Sequence, residues 1–192
     1  MKISAGIAKG RRTSTKRILL HARNQTRLRP TSSKVREALF DIIKNKISGA
    51  TFVDLYAGTG TVGFEALSRG GKRTVFVEKN EFLVNTIKKT AHELGFICKT
   101  QIIKCSAEEF LKKASSNQEM FDIFFVDPPY QSDEIDKILP LISSKDLVNT
   151  EGFVIVEHFH KKRIPETIGN LEKHRSYRYG DTILSFYRKV NL

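Results

Sequence analysis

The sequence predicts an α/β protein: a seven-stranded, mostly parallel sheet that ends in an antiparallel hairpin, preceded by a basic N-terminal β-hairpin extension. Strand-like apolar runs alternate with helix-spaced ones from about residue 31 to 157, the pattern of a parallel sheet covered on both faces. The first run leads into a glycine-rich turn, Gly58-Thr59-Gly60 with Gly63 beyond it, where backbone approaches something closely. Two late runs, Glu172 to Tyr179 and Thr182 to Arg188, flank Gly180-Asp181, as expected of a hairpin on a short turn.

Taken in order, Lys2 to Gly6 and Lys16 to Leu20 have strand-like content around Lys9-Gly10 and predict the basic hairpin. Val35, Ala38, Leu39, Ile42 and Ile43 have the spacing of an amphipathic helix, which Thr31 or Ser32 can cap. Strand Thr51 to Tyr56 is followed by a helix after Thr61. Strand Thr74 to Glu78 is followed by a helix through Leu83, Ile87, Ala91 and Leu94 that Gly95 closes. Strand Thr100 to Lys104 precedes a helix opened by the capping-box pair Ser106 and Glu109. Strand Phe121 to Val126, a helix near Ile135 to Ile142 and strand Phe153 to Glu157 complete the alternation.

At 192 residues the chain has the size of one domain or of a domain with an appendage. The junction near residues 28 to 31 divides it into a basic extension, 1–28, and a main domain, 29–192. No apolar run approaches the roughly 20 residues of a membrane span, and the N-terminus MKISAGIAKGRR lacks a secretory h-region. Cys98 and Cys105 sit in or beside a β-rich segment and read as two buried thiols in a reducing compartment. A cytoplasmic monomer is expected. The net charge of +12 is concentrated: residues 1–36 hold eleven Lys or Arg and no Asp or Glu, whereas the rest carries 22 basic and 21 acidic residues. Such asymmetry points to a polyanion, with a solvated basic tail as the bland alternative. Lys9, Arg11, Arg12, Arg29 and Arg36 are the candidate contacts to that polyanion.

Which ligand the glycines serve is decided by their neighbours. A dinucleotide pyrophosphate on a helix N-terminus is repelled by a nearby carboxylate, yet Asp54 stands four residues before Gly58. That carboxylate suits the cationic amine of S-adenosylmethionine better than two phosphates. Glu78 ends the next strand, where an acidic side chain accepts from ribose hydroxyls in either kind of cofactor. After the fourth strand comes Asp127-Pro128-Pro129-Tyr130. Pro128 forces Asp127 to be extended, and successive prolines leave carbonyls without competing N–H donors. The Asp127 carboxylate and Pro128 carbonyl can hold the hydrogens of an sp² amine so that its lone pair faces a methyl donor. Tyr130 can stack on a base taken out of its helix. For the tetrapeptide alone, a proline-stiffened surface turn is the competing reading. His158 and His160 alternate on a strand face but lack a third ligand at metal-site spacing, so no metal is expected. Lys161-Lys162-Arg163 extends a polyanion-binding surface or is a solvated loop.

At these residues the chain resembles class I S-adenosylmethionine-dependent methyltransferases, and more closely the bacterial family of the RsmD type, which methylates the 2-amino group of one guanine in 16S ribosomal RNA. The resemblance rests on Ile3-x-Ala5-Gly6-x-x-x-Gly10-Arg11-Arg12, Leu28-Arg29-Pro30-Thr31, Val35-Arg36-Glu37-Ala38-Leu39-Phe40, Asp54-Leu55-Tyr56-Ala57-Gly58-Thr59-Gly60, Glu65-Ala66-Leu67-Ser68-Arg69-Gly70, Glu78, Asp127-Pro128-Pro129-Tyr130 and Tyr179-Gly180-Asp181-Thr182. It implies a Rossmann-like methyltransferase domain with an RNA-binding extension. Asp54, Tyr56, Ala57, Gly58 and Gly60 would hold the methionine end of the cofactor, Glu78 its ribose, and Ser106 and Ala107 would flank its adenine. The implied partner is 16S ribosomal RNA within an assembled small subunit. Three readings compete: a DNA adenine-amine methyltransferase sharing the tetrapeptide, an RNA-binding assembly factor with a vestigial site, and, more weakly, an oxidoreductase.

Overall fold

A computed structural model describes residues 1–13, 31–129 and 132–190, which fall into two compact units, 1–104 and 105–192. In the first unit, α1 (Ser33–Ile42) and α2 (Lys44–Ile47) precede β1 (Thr51–Asp54), α3 (Thr61–Ser68), β2 (Arg73–Val77), α4 (Glu81–Leu94) and β3 (Thr100–Ile103). Ser32 is the cap of α1, its hydroxyl accepting from the Val35 N–H at 3.2 Å. Gly95 ends α4 in the left-handed conformation at φ +75°, which costs glycine nothing. Strand β2 pairs in parallel with β1 on one side and β3 on the other, setting Asp54 beside Phe76 and Val77 beside Ile103. This register brings the carboxyl ends of β1 and β2 together. Phe64 of α3 and Phe76 of β2 stack with ring centroids 4.7 Å apart, in a core that also takes in Ile3, Leu67, Ile87 and Leu94.

The second unit comprises α5 (Ala107–Ser116), β4 (Phe121–Val126), α6 (Glu134–Ser144), β5 (Val148–Phe159), β6 (Thr167–Ile168), β7 (Leu171–Tyr179) and β8 (Thr182–Lys189). Its strands lie in the order β4-β5-β8-β7-β6. Strand β5 runs parallel to β4 and antiparallel to β8, and β7 pairs antiparallel with both β8 and β6. The predicted α/β architecture with a late antiparallel hairpin is present. Eight strands are described rather than seven, because β6 is two residues long and leaves no periodic trace. Strand β5 begins earlier than its apolar run, since Asn149, Thr150 and Glu151 break the pattern at its start.

The N-terminal hairpin closes sooner than expected. Lys2 and Arg12 form an antiparallel bridge, and Ile3 donates to Arg11 O at 3.1 Å while Gly10 donates to Ile3 O at 3.0 Å. The predicted return limb Lys16 to Leu20 and the boundary near 28 to 31 fall within or against residues outside the description. The cysteines depart from expectation: Cys98 is exposed and Cys105 half-buried, both as free thiols. Cys98 belongs to a 3-10 turn, Ile97–Lys99, rather than to a buried strand. No helix among the described residues is long and apolar enough to cross a membrane.

Candidate active site

The glycine turn joins β1 to α3, and its backbone requires the residues found there. Gly58 and Gly60 have φ of +56° and +75°, a region L side chains rarely occupy. A Cβ on Gly60 would come within 2.8 Å of the Phe64 ring, whereas one on Gly58 would meet nothing within 4 Å. Gly60 is therefore fixed by packing as well as by conformation, while Gly58 leaves open backbone.

Two carboxylates brace this turn. Asp54, buried at the end of β1, accepts from the Gly63 N–H in the first turn of α3 at 3.0 Å. Burial pushes its carboxyl group up to about 7, the Gly63 hydrogen bond opposes this, and the Glu78 charge adds to it. Glu78 follows β2 and accepts through one oxygen from the Gly58 N–H at 2.9 Å and through the other from the Asn80 N–H at 2.8 Å. Its predicted ribose contact is thus accompanied by a role absent from the sequence reading, tying the glycine turn to the entrance of α4. Each carboxylate oxygen has a second acceptor position, so the two roles are compatible. Ala57 is buried and donates to Val77 O at 3.0 Å, and Tyr56 is half-buried.

In the second unit, β4 is almost wholly buried up to Val126, after which Asp127 is half-buried, Pro128 buried and Pro129 exposed. The Pro129 carbonyl accepts from the Ser132 N–H at 3.0 Å and the Ser132 hydroxyl at 2.7 Å. Tyr130 lies outside the described residues. Ser106 forms a complete capping box: its hydroxyl accepts from the Glu109 N–H at 3.2 Å, and its own N–H donates to the Glu109 carboxylate at 2.8 Å. Capping occupies the Ser106 side chain, and Ala107 behind it is buried.

The candidate RNA contacts separate. Lys9, Arg11 and Arg12 are exposed, with Arg11 donating to Leu94 O at 2.9 Å, a favourable place for a cation at the end of α4. Arg29 lies outside the described residues. Arg36 is the correction: it is 6% exposed, its guanidinium 3.6 Å from Glu65 and donating to Lys2 O at 3.3 Å. A side chain so engaged holds the protein together rather than meeting phosphates. His158 is buried between Phe159 O and the Ser185 hydroxyl, at 3.1 and 3.0 Å, while His160 stands 3.6 Å from Asp181. Lys162 pairs with Asp136.

Sequence reasoning missed the role of Glu65. Fully buried in α3, its carboxylate accepts from the Ser4 N–H and hydroxyl at 3.0 and 2.6 Å, the Ala5 N–H at 3.0 Å and Arg69 Nε at 3.0 Å. Three residues on, Ser68 donates to Ala5 O at 2.6 Å and accepts from the Ala8 N–H at 3.0 Å. Gly6 lies so close that a Cβ there would sit 1.8 Å from Ser68 O. A charged residue inside the otherwise apolar run Val62-Gly63-Phe64-Glu65-Ala66-Leu67 was the available signal, since a buried charge demands partners.

The comparisons with known proteins bear on the fold and the family. The chain is 33% identical over 189 residues to YlbH of Bacillus subtilis (strain 168), covering 98% of the chain and 99% of YlbH. It is 34% identical over 164 residues to the ribosomal RNA small subunit methyltransferase D of Buchnera aphidicola subsp. Acyrthosiphon pisum, covering 84% of the chain and 80% of that protein. Among solved structures, yhhF from Escherichia coli superposes with a TM-score of 0.80 at 25% identity, over 98% of this chain and 97% of that one, which places the fold with the class I methyltransferases. A family model described as "Conserved hypothetical protein 95" matches residues 1–188, and the chain belongs to that family, together with proteins named ribosomal RNA small subunit methyltransferase D.

Proposed function

We propose that this protein transfers the methyl group of S-adenosylmethionine to the 2-amino group of a guanine in small-subunit ribosomal RNA. The observation that carries the reading is the glycine turn held between Asp54 and Glu78, in a chain that also follows β4 with Asp127-Pro128-Pro129. The residues fit the cofactor: Gly58 offers open backbone at positive φ, and Asp54 offers a buried carboxylate to a cationic amine. S-adenosylmethionine, when bound, supplies a methyl group on a positively charged sulfur.

The chain's own residues do the rest. Asp54 holds the methionine amine and Glu78 the ribose hydroxyls, while Tyr56, Ala57 and Gly60 shape the turn. Asp127 and the Pro128 carbonyl accept the amine hydrogens and aim its lone pair, a contribution of positioning and preorganised electrostatics. Tyr130 stacks on the extruded base. Lys9, Arg11, Arg12 and Arg29 hold the phosphates, and the substrate is the assembled small subunit, met by a monomer in the cytoplasm. The proteins named ribosomal RNA small subunit methyltransferase D support an RNA substrate.

The test offers labelled S-adenosylmethionine with small subunits, free ribosomal RNA or DNA, and identifies the methylated nucleoside. N2-methylguanosine from subunits is expected. N6-methyladenine in DNA would make the enzyme a DNA methyltransferase, and RNA binding without transfer would make it an assembly factor. Tight NADH binding without S-adenosylmethionine binding would make it an oxidoreductase.

A further inference from the structure

We infer that Lys161 and Arg163 form a second phosphate-binding surface, on the sheet rim that also carries Asp127-Pro128-Pro129, and hold the RNA backbone next to the target base; the inference rests on the RNA reading above. The phosphate contacts proposed there, Lys9, Arg11, Arg12 and Arg29, all belong to the first unit. They leave the unit that carries the proline turn without a hold on its substrate. Extruding a base costs unstacking energy, and contacts to phosphates fix the position and register of the strand that bears it.

Strands β4 and β5 run parallel, and Val126 with Val156 is their last pair. Past that level β4 gives way to Asp127, whereas β5 runs on to Phe159, which pairs with Thr182 of β8. Three further residues carry β5 about 10 Å beyond the end of β4. The chain then turns, with the Lys162 N–H donating to Phe159 O at 2.9 Å. The His160 N–H donates to Asp181 O at 2.8 Å, which fastens this turn to the one between β7 and β8. Lys162 pairs with Asp136 in the first turn of α6, the helix that follows the proline turn. The loop is thus anchored on the carboxyl rim of the sheet, the side on which open α/β sheets bind ligands.

The cations of this loop divide between two tasks. Lys162 is spent on Asp136, and the Asp181 carboxylate stands 3.6 Å from the His160 ring. Lys161 and Arg163, on either side of Lys162, are exposed and make no hydrogen bond or ion pair among the described residues. An anchored loop loses little freedom when an anion binds, and the arginine fork takes a phosphate through two parallel hydrogen bonds.

The experiment measures binding of the full chain to purified small subunits across a salt series, together with methyl transfer. Lys161→Ala/Arg163→Ala should bind subunits about tenfold more weakly at low salt and flatten the log-log salt slope by up to about 2 units. KM for subunits should rise with kcat little changed, and S-adenosylmethionine affinity should be unchanged by calorimetry. Lys161→Arg/Arg163→Lys, which keeps both charges, should restore most of the binding. Lys145→Ala/Arg188→Ala removes two exposed cations towards the other end of β5 and should leave the slope near that of the wild type. Equal effects of the two alanine pairs would reduce the role to net charge and overturn the inference, as would wild-type affinity and slope in Lys161→Ala/Arg163→Ala. A loss confined to anionic phospholipid vesicles, with subunit binding intact, overturns it in favour of a membrane surface. A wild type that binds subunits through these cations but transfers no methyl group removes the proposed function and leaves the surface standing.

Discussion

Asp54 carries a consequence of its burial that is visible against pH. Its carboxyl group is raised from 3.8 to about 7, so between those values the folded protein keeps a proton that the unfolded chain has released. Stability from this group is therefore full below about pH 4, falls as pH rises through about 7, and stays low above. The cost approaches about 4 kcal/mol if the whole shift is expressed. Asp54→Asn, which retains an acceptor for the Gly63 N–H, should be more stable than wild type at pH 8 and no more stable at pH 4. Denaturant unfolding at the two pH values checks this, and a pH-independent difference would remove Asp54 as the source. The same variant should bind S-adenosylmethionine at least tenfold more weakly, because a charge-assisted hydrogen bond is lost. Asp127→Ala should instead leave cofactor affinity intact and slow transfer by roughly 10²–10³, as when one preorganised partner is removed. Unchanged turnover would take Asp127 out of the mechanism.

Among the elements, α3 has two tasks within eight residues. Its first turn donates to Asp54 through Gly63, and its last turn, through Glu65 and Ser68, docks residues 4–8. Gly6 sits at φ +80° against Ser68 O, so Gly6→Ala is strained by conformation and clashes with backbone. This change should release the N-terminal segment, with a stability loss of roughly 1–3 kcal/mol. Limited proteolysis would then cut near residues 6 to 13 in the variant before the wild type, and RNA affinity would fall. Equal protease resistance in both proteins would show that the docking through α3 is dispensable.

For the molecule as a whole, the charge asymmetry sets how RNA is caught. Eleven cations without one carboxylate in residues 1–36 repel each other unless an anion neutralises them, and Arg36 is already paired with Glu65. If about four to six of the others meet phosphates, RNA affinity should fall with salt at a log-log slope of roughly −3 to −5. Replacing Arg11 and Arg12 by Ala should flatten that slope by up to about 2 units and leave S-adenosylmethionine affinity within about twofold. A double mutant with wild-type affinity and slope would reduce the arm to a solubilising tail.

Element type and order were legible because they depend on local periodicity and punctuation: Ser32, Gly95 and the Ser106–Glu109 box mark helix ends where the sequence places them. The glycine turn was legible too, since glycine adopts positive φ at no steric cost whatever surrounds it. Tertiary structure alone decided which charges are spent internally. Arg36 reads as one more cation of the basic arm until Glu65, 29 residues away in sequence, is seen to claim it. Glu78 reads as a ligand residue until its hydrogen bonds to Gly58 and Asn80 show that it also holds the turn. The reason is common to both: burial and partnership are properties of residues distant in the chain, and electrostatic energy depends on the distances and dielectric that folding creates.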